Sequence, residues 1–174
     1  GTLPSGLIDP EKRVYHSDTG EIRLDGGRNT FQVTTPRSEC FVLPAGKILA
    51  GNYAAVENRH SYGSFLVASR DGAPLPESRR VLILHLTDSK NSECRYTLTE
   101  NGMRMDSWGK QPLLLKRGEA GITLKAPAGL KLYACRLNGE RIGEVPFERI
   151  DGVIRFEAKN LAGSEPVLVY ELAE

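Results

Sequence analysis

Short stretches in which apolar and polar residues alternate run along most of this chain, and turn-forming residues separate them. Residues 21–25 and 30–34 are two such stretches, and Asp25-Gly26-Gly27 begins the turn between them. Alternation with a period of two places every second side chain on the same face of a strand, so each stretch predicts a half-buried strand. Because glycine tolerates the positive φ angles of tight turns, the two stretches together predict an antiparallel hairpin.

The same arrangement recurs later in the chain, where Asp71-Gly72, Asn138-Gly139 and Asp151-Gly152 are further turn sequences. The final third predicts two consecutive hairpins and then a closing strand. This rhythm is typical of sandwiches, so we predict an all-β fold, an antiparallel β-sandwich of jelly-roll or immunoglobulin-like type with little helix. The other predicted strand segments are residues 65–69, 81–87, 95–99, 113–116, 122–126, 130–137, 140–147, 153–158 and 167–172.

Helical patterns are scarce because 18 glycines and 10 prolines interrupt any long window. A short helix is conceivable only at residues 53–58. The length of 174 residues fits one large domain. We expect residues 1–12 to form an extended N-terminal segment and residues 13–174 a single β-sandwich domain. A seam is conceivable at residues 108–112, but we interpret this stretch as a loop within the domain because the composition does not change across it.

The charges are balanced, with 23 Lys and Arg residues against 22 Asp and Glu residues and a formal net charge of +1. The basic residues are scattered and do not alternate with aromatic residues, so we expect no nucleic-acid partner. The apolar runs have the length of a strand, whereas a membrane-spanning helix needs about 20 apolar residues. We therefore expect no membrane span.

Three cysteines, Cys40, Cys94 and Cys135, each lie in an apolar or strand-like stretch. No pair has the C-x-x-C spacing of a structural zinc site or a redox dithiol. We expect core thiols, with a bridge between Cys40 and Cys94 as the alternative. Since metal-binding motifs of the H-E-x-x-H kind are also missing, we predict neither a metal nor a cofactor.

The histidines His16, His60 and His85 are candidates for acid–base catalysis, but no G-x-S-x-G or comparable motif accompanies them. His85 interrupts an apolar strand, which favours a histidine at the edge of the core with one hydrogen bond over a catalytic role. His60 lies in a polar stretch and is the more accessible candidate. A small β-sandwich hydrolase that uses His60 and nearby carboxylates is therefore a minor alternative.

Several charged residues have the chemistry to act on a substrate or a partner. Glycoside hydrolysis requires two carboxylates that face each other across a cleft, and Glu39, Glu57, Asp88 and Glu93 lie in polar stretches. Solvated surface charges are the favoured interpretation of these four, so we assign no catalytic residue. Arg37 follows a strand and a proline, and it is placed to clamp a carboxylate of a sugar acid, of a neighbouring domain or of its own domain.

A sugar-binding site needs only a flat aromatic side chain and a few polar groups for the hydroxyls. Trp108, the single tryptophan, lies in a loop-like polar stretch. It is either such a platform or, as is commoner in a sandwich, a plug in a core or an interface. Asn52, Tyr53 and Tyr62 belong to the polar segment 51–63, which we expect to form a long loop that drapes over another domain.

Several segments resemble the C-terminal β-sandwich region of bacterial glycoside hydrolases that carry a (β/α)-barrel catalytic domain. They are SDTGEIRLD at residues 17–25, FQVTTPR at 31–37, LILHLTDSKN at 82–91 and LYACRLNGERIGEVP at 132–146. The resemblance implies a position at the end of a secreted or periplasmic bacterial hydrolase. In such proteins the catalytic carboxylates belong to the barrel, so none is carried over to this chain.

We therefore expect a non-catalytic accessory module that is covalently linked to a catalytic domain of a carbohydrate-active enzyme. Its docking surface is expected to be one apolar face or the segment 51–63. A carbohydrate-binding module with an aromatic platform is the main alternative, and its partner would be a glycan. Gly1 looks like a residue left by tag removal, so we expect the natural chain to begin upstream and to reside in the periplasm or at the cell surface.

Overall fold

The structure, a computed structural model, describes residues 6–162 and 165–174. Within these ranges the chain forms strands and turns without helix, which confirms the predicted all-β fold. The strands in chain order are β1 (Ile8–Asp9), β2 (Val14–His16), β3 (Ile22–Asp25), β4 (Thr30–Thr34), β5 (Ser38–Leu43), β6 (Lys47–Ala50), β7 (Ala54–Asn58), β8 (Gly63–Ser69), β9 (Val81–Leu86), β10 (Ser89–Ser92), β11 (Arg95–Thr99), β12 (Gly102–Ser107), β13 (Lys110–Leu115), β14 (Glu119–Lys125), β15 (Lys131–Cys135), β16 (Arg141–Glu144), β17 (Glu148–Ile150), β18 (Val153–Lys159), β19 (Leu161–Ala162), β20 (Glu165–Pro166) and β21 (Val169–Ala173).

Most of the strands belong to two large antiparallel sheets. The main sheet has ten strands in the order β1-β2-β3-β4-β5-β8-β9-β21-β15-β16. The second sheet has five strands in the order β17-β18-β14-β7-β6. The remaining strands form two-stranded ribbons, in which β10 pairs with β13, β11 with β12 and β19 with β20.

The two large sheets stack on one hydrophobic core, as an antiparallel sandwich requires. Along β5 the side chains of Glu39, Phe41 and Leu43 are fully buried, and those between them are half-buried. β7 and β18 bury alternate residues in the same way from the opposite layer. The period-two pattern is therefore the physical origin of the layered core. The largest apolar side chains that are fully buried in it are Phe41, Leu43, Phe65, Leu75, Ile83, Ile122, Leu124, Leu132, Ile154 and Leu172.

The predicted hairpin of β3 and β4 is present, but its turn works differently from the prediction. The positive φ belongs to Asn29, at 56°, and not to the two glycines. Asp25 is 4 % exposed and accepts the backbone N–H of Arg28 at 2.9 Å. Its other oxygen accepts a hydrogen bond from the Arg23 guanidinium, also at 2.9 Å. A buried carboxylate therefore organises this turn.

In the final third, the first predicted hairpin is confirmed and the second has a different partner. β15 and β16 pair across Asn138-Gly139. β18 pairs across Asp151-Gly152 with β17, and not with residues 140–147 as predicted. The reason is that the chain leaves the main sheet after β16 and enters the second sheet at β17. Val145 and Phe147 pack partly buried against the core at this crossing.

The predicted short helix at residues 53–58 is wrong, because residues 54–58 form β7 between β6 and β14. Ala54, Val56 and Asn58 point into the core, which is the burial period of a strand and not of a helix. The Asn58 amide nitrogen donates to the backbone carbonyls of Leu43 and Ser61. The predicted loop over residues 51–63 is wrong for the same reason, because its centre lies inside the second sheet.

Residues 89–115, which contain β10 to β13, form a projection that we call the arm. No strand of the arm pairs with a strand of either large sheet. The stretch 108–112 lies within it, where Trp108 and Gly109 connect β12 to β13. At the N-terminus, residues 1–5 of the predicted extended segment lie outside the described residues, and Ile8–Asp9 form the edge strand β1.

The three cysteines are free. Cys135 is buried, whereas Cys40 and Cys94 are half-buried. The alternative bridge between Cys40 and Cys94 is therefore not formed. Residues 6–162 and 165–174 include no helix with the length and apolar character that a membrane crossing demands.

Candidate functional site

His85 lies in the core and not at its edge. It is fully buried on β9 and stacks on Phe65, with ring centroids 4.6 Å apart. Neither ring nitrogen has a hydrogen-bond partner among the described residues, so the single hydrogen bond that we predicted is not formed. Burial lowers the pKa of the imidazole to about 4, because the core disfavours the charged form. His85 is therefore a neutral core residue at physiological pH.

His60 is exposed, but its neighbour is not arranged as a nucleophile. Its Nδ1 lies 3.1 Å from the Ser61 hydroxyl, and that hydroxyl donates to the backbone carbonyl of Arg117. A serine that a histidine activates must direct its proton at the imidazole. The Ser61 proton is instead directed at the Arg117 carbonyl. This hydrogen bond connects the turn after β7 to the segment before β14.

Glu39 is a buried structural residue, and the interpretation as a surface charge was wrong for it. The side chain is 0 % exposed. One carboxylate oxygen accepts the backbone N–H groups of Asn52 and Tyr53 at 2.7 and 3.1 Å, and the other accepts that of Ala54 at 2.8 Å. Carboxylates satisfied in this way hold a turn in place. Glu39 thereby fixes the turn between β6 and β7 against the main sheet.

The other candidate carboxylates are accessible. Glu57 accepts a hydrogen bond from Arg59 at 2.8 Å, which holds the pKa of Glu57 below its ordinary value. Glu93 forms an ion pair with Lys110 at 2.8 Å, and Asp88 is exposed. Among the described residues, no group of three His, Cys, Asp or Glu side chains is placed to hold a metal ion.

The five predicted ligand residues do not form one site. Arg37 is exposed and lies beside one end of β8, where its carbonyl accepts the N–H of Ser69. Tyr62 is 44 % exposed and lies at the other end of β8. Tyr53 packs against the core and Asn52 precedes it in the turn that Glu39 holds. Trp108 belongs to the arm and is 75 % exposed, so it is not a core plug.

The feature that sequence reasoning did not locate is the outer face of the main sheet. Residues directly opposite each other in paired strands point to the same side. Core residues such as Phe41 occupy one side, and their neighbours Cys40 and Val42 therefore occupy the other. Following this register across the strands gives a nearly continuous apolar surface, which we call the outer face. It consists of Ile8, Tyr15, Ile22, Leu24, Phe31, Val33, Cys40, Val42, Leu66, Leu82, Leu84, Leu86 and Val169.

The second sheet packs on the opposite side of the main sheet and therefore does not cover the outer face. Ile8, Ile22 and Leu24 remain 53 %, 42 % and 43 % exposed. Charged residues border the surface at one end, where Glu171 accepts hydrogen bonds from Arg80 at 2.8 Å and Arg141 at 2.9 Å. An apolar centre with a polar rim is the anatomy of a protein interface.

The exposed side of the second sheet has the opposite character. Arg59 pairs there with Glu57 and Glu157, and Arg155 lies 3.7 Å from Glu57. Such mutually paired charges are typical of a solvated surface. Among the described residues, the outward side of the main sheet is therefore the more apolar of the two.

A sequence signal for the outer face exists in β9. Its run Val81-Leu82-Ile83-Leu84 is apolar at every position. A strand with one solvated side alternates, whereas a strand covered on both sides is continuously apolar. The run therefore indicates a strand that needs cover on two sides.

Comparisons of the chain with protein-family models, with curated proteins and with solved structures gave no match.

Proposed function

We propose that this chain is a non-catalytic accessory β-sandwich module of a carbohydrate-active enzyme and that its outer face packs on a catalytic domain of the same polypeptide. The observation that carries the proposal is the uncovered apolar side of the main sheet. Apolar surface of this extent is costly in water, at about 25 cal/mol for each Å² that stays exposed. A second domain that covers the outer face removes this cost.

The position of β1 supports a partner within the same polypeptide. β1 is the edge strand of the main sheet, and Ile8 belongs to the outer face. A domain attached N-terminal to Ile8 would therefore be tethered close to that face. Interfaces between domains of one chain typically bury 600–1,500 Å².

The roles of the reactive side chains support placing the chemistry in the other domain. Glu39 holds a turn, His85 fills the core and the Ser61 hydroxyl bridges two segments. Each of these groups is already used by the fold. The resemblance to the C-terminal region of glycoside hydrolases supports a glycan-processing enzyme as the partner.

The test is whether the domain encoded next to this chain binds the outer face. The adjacent domain and this chain are expressed separately, and their affinity is measured by calorimetry. Leu24→Asp places a charge within the outer face and should weaken binding at least tenfold. Ile150→Asp makes the same change at an exposed residue of the second sheet, 68 % exposed, and should leave the affinity unchanged. A gene without an adjacent domain, or equal affinity in both variants, would reject the proposal.

Glycan binding at Trp108 is a second candidate, because the structure fixes the backbone that presents this exposed indole. Asn91 Nδ2 and Cys94 Sγ approach the Trp108 carbonyl oxygen at 3.0 and 3.1 Å. The following Gly109 has a φ of 68°, and a Cβ there would lie 2.0 Å from the Ser92 carbonyl oxygen. A rigid aromatic platform loses little entropy when a sugar stacks on it.

This second candidate predicts saturable binding to at least one polysaccharide, and Trp108→Ala should abolish it. Tyr15→Ala provides the control at an exposed aromatic residue of the main sheet, outside the five predicted ligand residues. Flat titrations across a broad panel of neutral and acidic polysaccharides would reject the candidate.

A further inference from the structure

His85 is covered on two sides, and the two covers are held with different strength. On one side the imidazole stacks on Phe65 of β8, a strand that is paired along both of its edges. On the other side lies Gly118, where a Cβ would come within 2.7 Å of His85 Nε2. Gly118 belongs to residues 116–118, which connect β13 to β14 and are not part of a strand. The cover over Nε2 is therefore the weaker of the two.

Residues 116–118, which we call the return segment, are held mainly by the buried side chain of Asn160. Its Oδ1 accepts the N–H of Gly118 at 2.7 Å, and its Nδ2 donates to the Lys116 carbonyl at 2.7 Å and to the Thr87 hydroxyl at 2.9 Å. The backbone adds hydrogen bonds from Lys116 to Asp88 and from Asn160 to Gly118. Because these bonds are fewer than those of a strand ladder, the return segment opens at a lower cost than a strand of either large sheet.

The return segment separates His85 from solvent and also forms the root of the arm. Gly118 lines a surface depression of about 230 Å³ together with Lys159 and Leu161. An outward movement of the return segment therefore opens a path from this depression to His85 Nε2. Leu115, the last residue of the arm, directly precedes the return segment. The same movement therefore loosens the attachment of the arm to the sandwich.

The surroundings of the imidazole are uncharged. β8 and β9 contain no Asp, Glu, Lys or Arg residue. Burial is accordingly the cause that lowers the pKa of His85, to about 4. The neighbouring elements carry their charged side chains at the surface or on the outer side of the main sheet, and these residues are Asp88, Lys116, Arg117, Glu119, Lys159 and Glu171.

We infer that His85 is a pH-sensitive latch whose protonation opens the return segment and loosens the root of the arm. In the closed form the buried ring is neutral, whereas in the open form Nε2 meets water and takes up a proton near the ordinary pKa of 6.5. The open form alone gains the proton as the pH falls below 6.5. Its population relative to the closed form should therefore rise about tenfold for each pH unit, until the closed form also binds the proton near pH 4. The latch does not depend on the proposed function.

The experiment measures native-state hydrogen exchange of the chain between pH 6.5 and pH 4.5, with each rate divided by the intrinsic rate at that pH. The amides of Gly118 and Asn160 should lose about 100-fold in protection over this range. Sub-denaturing urea should hardly change their exchange, because a local opening exposes little surface. The amides of Val67 and Ile83, in central strands, should exchange more slowly and respond strongly to urea.

Two histidine variants separate the latch from other causes of a pH response. His85→Phe keeps a ring beside Phe65 without a titrating nitrogen and should abolish the loss of protection. His60→Gln is the matched control, because exposed His60 contacts the Ser61 hydroxyl that donates to the Arg117 carbonyl. It should keep the loss. Circular dichroism checks that both variants are folded.

The wild-type chain alone is sufficient to overturn the latch. Protection of Gly118 and Asn160 that stays constant with pH would do so, and so would exchange of these amides that follows urea as steeply as that of Ile83. A pH response that persists in His85→Phe but disappears in His60→Gln would assign it to the surface histidine and would also overturn the latch.

Discussion

Removing the Glu39 carboxylate should destabilise the sandwich strongly. Glu39 is 0 % exposed, and its two oxygens accept three backbone N–H groups from residues 52–54. In Glu39→Ala these donors lose their acceptor in the interior, and each unsatisfied buried donor costs about 1–3 kcal/mol. Water that enters the vacated space recovers part of this loss. We expect the free energy of unfolding to fall by about 3–5 kcal/mol, a large fraction of the roughly 5–15 kcal/mol that a domain has.

Glu39→Gln refines the prediction, because an amide keeps one acceptor and replaces the other by a donor. The retained oxygen can still accept the N–H groups of Asn52 and Tyr53. The new NH₂ group would face the N–H of Ala54, which is a donor opposite a donor. We therefore expect a smaller loss, about 2 kcal/mol, with the order wild type, Gln, Ala in decreasing stability.

The assay is urea unfolding at pH 7, followed by circular dichroism and fitted with a common slope. Glu100→Ala removes an exposed carboxylate from the turn between β11 and β12 and should change the stability by less than about 0.5 kcal/mol. A loss below about 1 kcal/mol in Glu39→Ala, or equal losses in the Ala and Gln variants, would refute the role assigned to the carboxylate.

Gly51 provides an independent check on the same contact. A Cβ at Gly51 would lie 2.3 Å from Glu39 Oε2, so Gly51→Ala should displace the carboxylate and destabilise the fold by about 1–3 kcal/mol. In the double variant with Glu39→Ala the clash partner is missing. The double variant should therefore lose less stability than the two single losses added together, whereas additive losses would argue against the contact.

Three further predictions concern other parts of the fold. His85 has a folded pKa of about 4 against an ordinary 6.5, so the unfolded state binds the proton first as the pH falls. About 3 kcal/mol of stability should therefore be lost between pH 6.5 and pH 4, and urea unfolding of His85→Leu should lack this component. The Tyr170 hydroxyl of the main sheet donates to the Lys159 carbonyl at 2.7 Å and accepts its N–H at 2.9 Å. Tyr170→Phe should therefore lose about 1–2 kcal/mol in the same assay, and an unchanged midpoint would contradict this bridge between the sheets. In Gly109→Ala the added Cβ would collide with the Ser92 carbonyl oxygen. Hydrogen exchange should therefore become faster in the arm, while the two large sheets keep their protection. Faster exchange throughout the chain would contradict the view that the arm unfolds independently of the sheets.

The strands could be predicted from the sequence because alternation is a local property. β4 coincides with the predicted segment 30–34, and β11 coincides with 95–99. Which of the two sheets a strand joins is not a local property, because it depends on residues far away in the sequence. Residues 140–147 carry a strand pattern followed by a turn sequence, yet the chain changes sheets at Val145 to Phe147, and nothing in a period-two pattern marks such a crossing.

The burial of single polar residues could not be predicted from the sequence either. Glu39 looks like a surface charge in sequence because its hydrogen-bond donors come from residues 52–54, which only the pairing of the sheets brings to it. The outer face was indicated more directly, because the continuously apolar run in β9 implies cover on both sides. The sequence analysis predicted that one apolar face is a docking surface, but it did not identify which face.

We propose that a linked domain covers the outer face in the complete polypeptide, and side-chain footprinting tests this most directly. Hydroxyl radicals should modify Tyr15, Leu24 and Phe31 readily in the isolated chain and much more slowly in the complete polypeptide. Ile150 of the second sheet should react equally in both. Equal reactivity of Tyr15, Leu24 and Phe31 in the two samples would contradict the account.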